Sequence, residues 1–381
     1  FVSTNSITQG EQAATFGKYL IDQGVSINFA HRTFAWESEA RGSAHVHVVI
    51  IGFTVGRPAD AKTIYDYASV KGDPQATKVK NINPYLVDAA DIVVPARIPA
   101  PAGLPKMIKG SQPTDGGHLL FNNEERQEFL KLAPEAENWF RPYVGGRELI
   151  SGVYRWCLWL RDVSPVDLRD SPLVLDRLSR VKTSRKKSPT ASVRVFAKSP
   201  MLFTQDRQPG HCYIAIPEVS SERRSYIPMA ILPPTIIASN KLQMIIASDR
   251  FLFGILMSEM NMAWVRQISG RLKSDISYSP SVYHSFPQPH DVSDKQREAV
   301  EMAAAAVLAA REQFPNASLA DLYDPLSMPS VLTKAHAKLD RAVDRCYRNQ
   351  PFPHERKRVE FLFELYERLS APLVAKKKPR R

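Results

Sequence analysis

The stretch that decides the fold lies at the start of the chain and reads FVSTNSITQGEQAATFGKYLIDQGVSINFAHRTFAWESEARGSAHVHVVIIGF (residues 1–53). Alternating apolar positions predict strands, and one amphipathic run predicts a helix. The expected elements are a strand at Phe1–Asn5, a helix at Gly10–Gln23, strands at Val25–Thr33 and His45–Phe53, and a turn over Thr33–Trp36. This order is typical of the closing part of a Rossmann-like sheet. The glycine-rich turn that opens such a fold is expected upstream of Phe1.

Composition excludes several classes of protein. A length of 381 residues with 44% hydrophobic residues is enough for two or three domains. No apolar run approaches the roughly 20 residues that a membrane span requires, so no membrane partner is expected. Cys157, Cys212 and Cys346 are far apart and lack metal-binding spacing, which favours a reducing, cytoplasmic location and predicts no metal site.

The net charge of +12 is concentrated in two segments. Residues 171–200 carry eight basic side chains against Asp176 alone, and residues 376–381 carry five basic side chains. Charge gathered in this way attracts a polyanion such as nucleic acid. The alternatives are a solvated loop for the first segment and a disordered tail for the second.

Proline, glycine and periodicity predict a series of domains. Residues 1–95 hold the α/β elements, and the Pro- and Gly-rich residues 96–117 are expected to form a linker or a long surface excursion. Residues 118–289 mix helical and β-prone stretches, among them a helix at Pro172–Val181 and a strand at Met201–Phe203. Residues 290–372 are expected to be helical, and 373–381 form a basic tail.

Several stretches resemble the single-chain restriction–methylation enzymes of type IIL, the MmeI-like family. They are FVSTNSITQGEQ (1–12), NFAHRTF (28–34), VHVVIIGF (46–53), VSSERRSYIP (219–228), SYS (277–279), FP (286–287), DLYDPL (321–326) and LDRAVD (339–344). The resemblance covers nearly the whole chain in the family's order.

The resemblance implies an α/β fold that is part of a class I methyltransferase Rossmann-like sheet, with His45–Phe53 as its antiparallel final strand. An α+β target-recognition domain and a C-terminal helical segment would follow. It also implies methyl transfer from S-adenosylmethionine to the exocyclic amine of adenine in double-stranded DNA. The family's cofactor motif and Asn-Pro-Pro-Tyr/Phe motif are expected in the missing N-terminal part of the same protein, so this chain alone is not expected to bind the cofactor. Asn83-Pro84-Tyr85 is expected to be an ordinary turn.

An enzyme that methylates adenine in a duplex must swing the base out and hold it against a flat side chain. Family members place an aromatic residue in the turn between the last two strands, which makes Phe34 the candidate and Trp36 the second choice. The alternative is that Phe34 caps the core and Trp36 covers it. Arg32 would hold a phosphate or form a surface ion pair, and His31 would be a hydrogen-bonded structural residue. Residues 5–9 would line a cofactor or adenine pocket in a complete domain.

Sequence readout requires side chains that reach base edges in the major groove. Family members use residue pairs in the target-recognition domain, and the pair separated by one residue falls on Gln205 and Arg207. Glutamine suits adenine and arginine suits guanine, and strand alternation would place both on one face. The alternative is an exposed hairpin without DNA contact.

The other basic residues are expected to give affinity rather than specificity. Phosphate contacts are predicted for Arg185, Lys186, Lys187, Arg194 and Lys198. Arg223 and Arg224 either contact phosphate or pair internally with Glu222 or Glu218. The C-terminal helices are expected to be scaffold, with clamping around DNA as the alternative.

Two functions remain open from the sequence. The first is the sequence-recognising part of an adenine-specific DNA methyltransferase, from a restriction–modification system. The second is a non-catalytic DNA-binding specificity subunit or remnant. An upstream reading frame with a glycine-rich strand–turn and an Asn-Pro-Pro motif would favour the first.

Overall fold

The computed structural model describes residues 1–36, 46–57, 59–67, 69–95, 98–272 and 274–374. The basic tail expected at 373–381 therefore lies outside the described residues from position 375 onward.

A five-stranded sheet forms the first part of the molecule. Its elements are β1 (Val2–Thr4), α1 (Gly10–Asp22), β2 (Val25–Trp36), β3 (Val46–Val55), β4 (Lys62–Tyr67) and β5 (Pro74–Val79). The spatial order is β1-β3-β2-β4-β5. Strand β3 runs antiparallel to both β1 and β2, and β4 is parallel to β2. The predicted antiparallel strand is confirmed, and it lies between two strands that run in the same direction.

Helix α1 and the first sheet contribute to different hydrophobic clusters. Ala13 of α1 is buried in the large cluster that also holds Tyr85, whereas Ile27 and Val49 of the sheet are buried in a cluster of their own. A turn at Asn83 follows the sheet, as expected from the sequence. Its side-chain Oδ1 accepts hydrogen bonds from the backbone amides at 85 and 87, at 3.0 and 3.1 Å.

The middle part of the chain, residues 107–285, is a mixed module that we call the recognition module. Its strands are β6 (Met107–Lys109), β7 (Leu120–Phe121), β8 (Phe140–Val144), β9 (Arg155–Leu158), β10 (Tyr213–Pro217), β11 (Val219–Ser220), β12 (Ala230–Leu232), β13 (Ile237–Ala238), β14 (Leu242–Ile245), β15 (Gly270–Leu272) and β16 (Asp275–Ser277). Its helices are α2 (Asn123–Leu132), α3 (Gly146–Ser151), α4 (Pro165–Arg169), α5 (Pro172–Lys186), α6 (Ala191–Val195), α7 (Arg250–Leu256), α8 (Glu259–Ile268) and α9 (Pro280–Ser285). The strands form sheets ordered β12-β10-β14-β6, β13-β8-β9-β7 and β11-β16-β15.

The segment expected to be a linker differs from that expectation in its second half. Strand β6 pairs antiparallel with β14, with Ile108 opposite Met244. Met107 and Ser111 are buried. The second half of the expected linker therefore supplies the edge strand of a sheet.

The C-terminal part is helical and packs on the recognition module. Its helices are α10 (Asp294–Glu312), α11 (Leu319–Leu322), α12 (Ser330–Tyr347) and α13 (Glu355–Val374). Helix α10 begins where predicted because Ser293 and Gln296 form a capping box. A single hydrophobic cluster runs from Trp264 in α8 to Leu339 and Phe363 in these helices. Among the described helices, none is long and apolar enough to span a membrane.

Candidate active site and nucleic-acid interface

One face of the first sheet carries a group of aromatic side chains near the ends of β2 and β4. The Phe34 ring stacks on Tyr67 with centroids 5.1 Å apart, and it lies 6.3 Å from Trp36. His31 stacks on Tyr65 at 4.2 Å, and its Nδ1 lies 2.7 Å from the Tyr67 hydroxyl. Partial burial lowers the pKa of His31, so its ring is mainly neutral at pH 7. We call these five residues the aromatic face.

An extra residue in β2 turns Phe34 onto this face. His31 pairs with Ile50 and Phe34 pairs with Val48, so three steps along β2 match two steps along β3. In a regular strand, positions 31 and 33 would share a face. The bulge places Phe34 there instead, with its ring 6.3 Å from that of His31. Bulges re-aim side chains in this way next to functional sites.

Phe34 and Trp36 lie in a strand and not in the expected turn. Strand β2 continues to Trp36 because residues 34–36 pair with residues 46–48 of β3. Phe34 is partly buried, while Trp36 is 48% exposed. The Phe34 ring is therefore not fully enclosed in the core, and the ring of Trp36 lies next to it.

A cleft of about 890 Å³ opens where β1 ends and where the bulge interrupts β2. It lies between the first sheet and the recognition module, and its lining residues are Thr4, Asn5, Ser6, Gln9, Thr33, Val46, His47, Val70, Glu222, Arg271 and Ser274. Open α/β sheets bind ligands at the carboxyl ends of their parallel strands. The hydroxyl and amide groups after β1 suit hydrogen bonds to a polar ligand. Phe34 lies beside this cleft in sequence but not among its lining residues.

Gln205 and Arg207 lie in a loop and not on the expected strand. The Gln205 backbone forms an isolated bridge with Gln112, and its side chain is exposed. The Arg207 amide donates to Ser111 Oγ at 2.9 Å, and its guanidinium donates to the Gly110 carbonyl at 3.4 Å. Strand alternation therefore does not set their direction.

The two residues do border a common groove of about 440 Å³. Arg161 borders it as well, and its Nη1 donates to Asp206 at 2.9 Å. Trp159 supplies an aromatic wall. Polar and cationic side chains over an aromatic wall make this groove suitable for contact with base edges or backbone.

Arg185 corrects the expectation of a phosphate contact. It is 1% exposed, and its guanidinium donates five hydrogen bonds to the backbone carbonyls of Pro113, Thr114, Phe196, Ser199 and Leu202. An arginine side chain has five N–H donors, so each one can be satisfied inside the protein. The spacing of Val174, Leu178, Val181 and Arg185 marks the buried stripe of α5 and could have predicted this.

The other basic candidates of the middle segment are exposed: Lys186, Lys187, Arg194 and Lys198. Arg194 Nη1 also donates to the carbonyls of Ser188 and Pro189, at 2.8 and 2.7 Å. Lys186 and Lys187 lie at the end of α5, Arg194 lies on α6, and Lys198 lies in the short 3-10 helix that follows α6.

Arg223 and Arg224 have different surroundings. Arg223 is exposed, whereas Arg224 is partly buried and burial lowers the pKa of its guanidinium. Glu218, one expected partner, instead binds Lys109 with Nζ and Oε1 2.6 Å apart. Arg223 therefore remains the more accessible of the two.

Tyr65 and Tyr67 were missed by the sequence reasoning. The period-two spacing in β4 places both on one face and Ile64 and Asp66 on the other, which is a readable signal. The bulge that brings Phe34 to them has no such signal. Across the described ranges, no group of three or more His, Cys, Asp or Glu side chains is placed to hold a metal ion.

Three family models match the chain. The model of the MmeI DNA-methyltransferase domain matches residues 1–66, that of the MmeI target recognition domain matches 88–290, and that of the MmeI C-terminal domain matches 292–374.

Individual proteins are similar over nearly the whole chain. DNA methyltransferase A of Bacillus subtilis (strain 168) is 38% identical over 371 residues, which are 97% of this chain and 41% of that protein. A solved structure of the type IIL restriction-modification enzyme MmeI in complex with DNA is 46% identical, with a TM-score of 0.85, over 97% of this chain and 49% of that one. The chain thus spans less than half the length of each relative.

Proposed function

Since the chain belongs to the MmeI family, we propose that it is the DNA-sequence-recognising part of an adenine-specific DNA methyltransferase of a restriction–modification system. The observation that carries the proposal is the cleft at the end of β1, which the first sheet and the recognition module line together. A base drawn from DNA held by the recognition module would enter there. Because its substrate is cellular DNA, we place the enzyme in the cytoplasm.

We propose that S-adenosylmethionine is the methyl donor, bound next to residues 4–9. When bound, it supplies an electrophilic methyl group on a sulfonium. Thr4, Asn5 and Ser6 fit one side of such a ligand because they offer hydroxyl and amide groups at the strand end. This chain spans less than half the length of each relative, and we propose that a further part of the same protein supplies the other contacts. The 381-residue chain alone would then be inactive.

The role proposed for Phe34 is to stack on the extruded adenine, with Trp36 as the second candidate. Its ring is partly open on the aromatic face, and Tyr67 supports it from one side. Base–aromatic stacking contributes about 1–3 kcal/mol per base. The acceptors for the adenine amine would come from the further part of the protein.

DNA contact is proposed for three parts of the recognition module. Gln205 and Arg207 would contact base edges from the groove that they border. Arg223 would contact the DNA backbone near the cleft. Lys186, Lys187, Arg194 and Lys198 would contact phosphates. The proposed division of the chain is 1–95 for the methyltransferase part, 107–289 for target recognition, because β6 belongs to a sheet of that module, and 290–372 for the C-terminal helices.

The test of the catalytic proposal is Phe34→Ala in the complete enzyme, with Phe29→Ala as the matched control. Phe29 lies five positions earlier on the same side of β2 and is 40% exposed, with its ring over Gly52 and edge-on to His31. We expect single-turnover methylation by Phe34→Ala to fall about 10- to 100-fold, while duplex affinity changes little. Wild-type methylation by Phe34→Ala, or equal losses in both variants, would remove the stacking role.

The test of the readout proposal is Gln205→Arg, with Lys187→Gln as the control. Arginine favours guanine where glutamine favours adenine, so Gln205→Arg should change one position of the methylated sequence. Lys187→Gln should weaken binding to all sequences alike and lower its salt dependence. Sequencing of methylated sites from a randomised duplex pool measures both. An unchanged site preference in Gln205→Arg would dismiss that residue as a reader.

A further inference from the structure

Arg32 lies within the β2 bulge, two residues before Phe34, and joins separate parts of the chain. Its Nη1 donates to Asp66 Oδ1 at 3.1 Å, and its Nη2 donates to Gln267 Oε1 at 2.9 Å. Asp66 belongs to β4, whereas Gln267 belongs to α8 of the recognition module. The side chain is therefore a bridge between the bulge and the module.

Both partners of Arg32 are themselves held in place. Gln267 Nε2 donates to the Tyr85 carbonyl at 2.7 Å, and Gln267 is 9% exposed. Asp66 Oδ2 accepts a hydrogen bond from Arg356 Nη1 of α13 at 3.1 Å. The bridge thus ends on the recognition module at one side and on the C-terminal helices at the other.

This arrangement fixes the two strands that carry the aromatic face. Arg32 lies in the β-bulge that sets the direction of the Phe34 side chain. Asp66 immediately precedes Tyr67, on which the Phe34 ring stacks. Any shift of α8 on DNA binding would act through Gln267 and Arg32 on the bulge.

We propose that Arg32 is a positioning residue, which couples the docking of the recognition module on DNA to the orientation of the Phe34 ring. The proposal rests on the proposed function, because it requires Phe34 to stack on the extruded base. It differs from the expectation that Arg32 holds a phosphate, because two of its five N–H donors bind acceptors inside the protein and tie the side chain to β4 and α8.

The test uses the complete enzyme and a duplex with 2-aminopurine at the target position. The variants are Arg32→Met, Phe34→Ala and the double variant. Arg297→Met is the control, because Arg297 forms half-exposed ion pairs with Asp249 and Glu301, outside the first sheet. We expect Arg32→Met to slow single-turnover methylation about ten-fold with duplex affinity within about two-fold of wild type. Its bound 2-aminopurine should fluoresce more strongly, because the base stacks less well.

The double variant provides the decisive comparison. If Arg32 acts through Phe34, the double variant should be no slower than Phe34→Ala alone. Additive losses, unchanged fluorescence, or a parallel loss of affinity and thermal stability would overturn the positioning role while leaving Phe34 in place. An unaffected Phe34→Ala would instead overturn the proposed function. If Arg32→Met does not fold, Gln267→Met removes the link from Arg32 to the module, together with the bond to the Tyr85 carbonyl, and leaves the Arg32–Asp66 pair in place. The same measurements then decide.

Discussion

The aromatic face of the first sheet and the buried centre of the C-terminal region use similar residues in opposite ways. On the aromatic face, His31 and Phe34 are partly exposed beside Trp36. In the C-terminal region, His336 is 0% exposed and stacks on Tyr226 with ring centroids 3.9 Å apart. The first group is partly open to solvent, whereas the second is closed by packing. The role of a cluster of aromatic and histidine side chains can therefore be assigned only when the degree of its burial is known.

The buried centre is held together by paired polar groups. The Tyr226 hydroxyl donates to Asp340 Oδ2 at 2.6 Å, and the Glu259 amide donates to Oδ1 at 2.8 Å. Arg358 donates to both oxygens of Asp344, at 3.0 and 2.8 Å. Asp340 and Asp344 lie in the LDRAVD stretch that resembles the family. These bonds join α12 to the recognition module through Asp340 and to α13 through Asp344, which gives the stretch a structural role.

The largest expected effect is the loss of the buried pair in Arg358→Met. The Arg358 and Asp344 side chains are each 9% exposed. Removing one member of a buried pair leaves the other charged and unpaired, which costs about 3–5 kcal/mol. Urea denaturation should show this drop in the free energy of unfolding, while Arg297→Met stays within about 0.5 kcal/mol of wild type. If Arg358→Met were as stable as the wild type, the buried cluster would not have the stabilising role that distinguishes it from the aromatic face.

The next effect is a pH dependence with two opposing parts. Burial lowers the pKa of His336 to about 3 and raises the pKa of Asp340 to about 7. The unfolded histidine binds protons that the folded one does not, so its contribution to stability rises with pH between about 3 and 6.5. The folded aspartate keeps a proton that the unfolded one loses, so its contribution falls between about 4 and 7.

Single variants should separate these two parts. Relative to wild type, His336→Gln should gain stability as pH falls from 6.5 to 4.5, and Asp340→Asn should gain it as pH rises over the same range. Each slope is at most about 1.4 kcal/mol per pH unit. Denaturation curves at several pH values measure the differences. Parallel curves for wild type and both variants would contradict the assignment of the two groups. His31→Gln on the open aromatic face should give a much smaller change.

Much of the fold could be predicted from local patterns. The antiparallel strand follows from the apolar run before Phe53, and α10 follows from its capping residue Ser293. The expected strand at Met201–Phe203 is absent because Arg185 binds the carbonyls of Ser199 and Leu202 and holds that segment as a turn. Ser199 and Leu202 are 14 and 17 positions from Arg185 in sequence, and local sequence patterns do not reveal contacts over such separations.

The candidate site was predictable in its residue types but not in its geometry. Phe34 was singled out, yet the pattern placed it in a turn because alternation cannot reveal one extra residue in a strand. Arg32 was expected to face DNA or a neighbouring carboxylate. Its observed partner Gln267 is 235 positions away in sequence. Long-range hydrogen bonds of this kind depend on how whole helices and strands pack together, and a short stretch of sequence does not reveal that packing.

The smallest expected effect concerns the tight contact between the first sheet and the recognition module. Gly10 begins α1 with φ of +54°, and a Cβ built there would lie 2.9 Å from the Gly270 Cα. A Cβ at Gly270 would meet nothing within 4 Å. Gly10→Ala should therefore lower the free energy of unfolding by about 1–2 kcal/mol, and Gly270→Ala by less than about 0.5 kcal/mol.

The same pair of variants sharpens the contrast between the two regions. The cleft depends on the spacing that this backbone contact sets, so Gly10→Ala should also slow methylation by the complete enzyme more than its stability loss alone explains. Arg358→Met, measured at a temperature where it is folded, should keep its methylation rate. If Gly10→Ala changes stability and methylation no more than Gly270→Ala does, the contact is looser than the geometry requires and does not set the cleft.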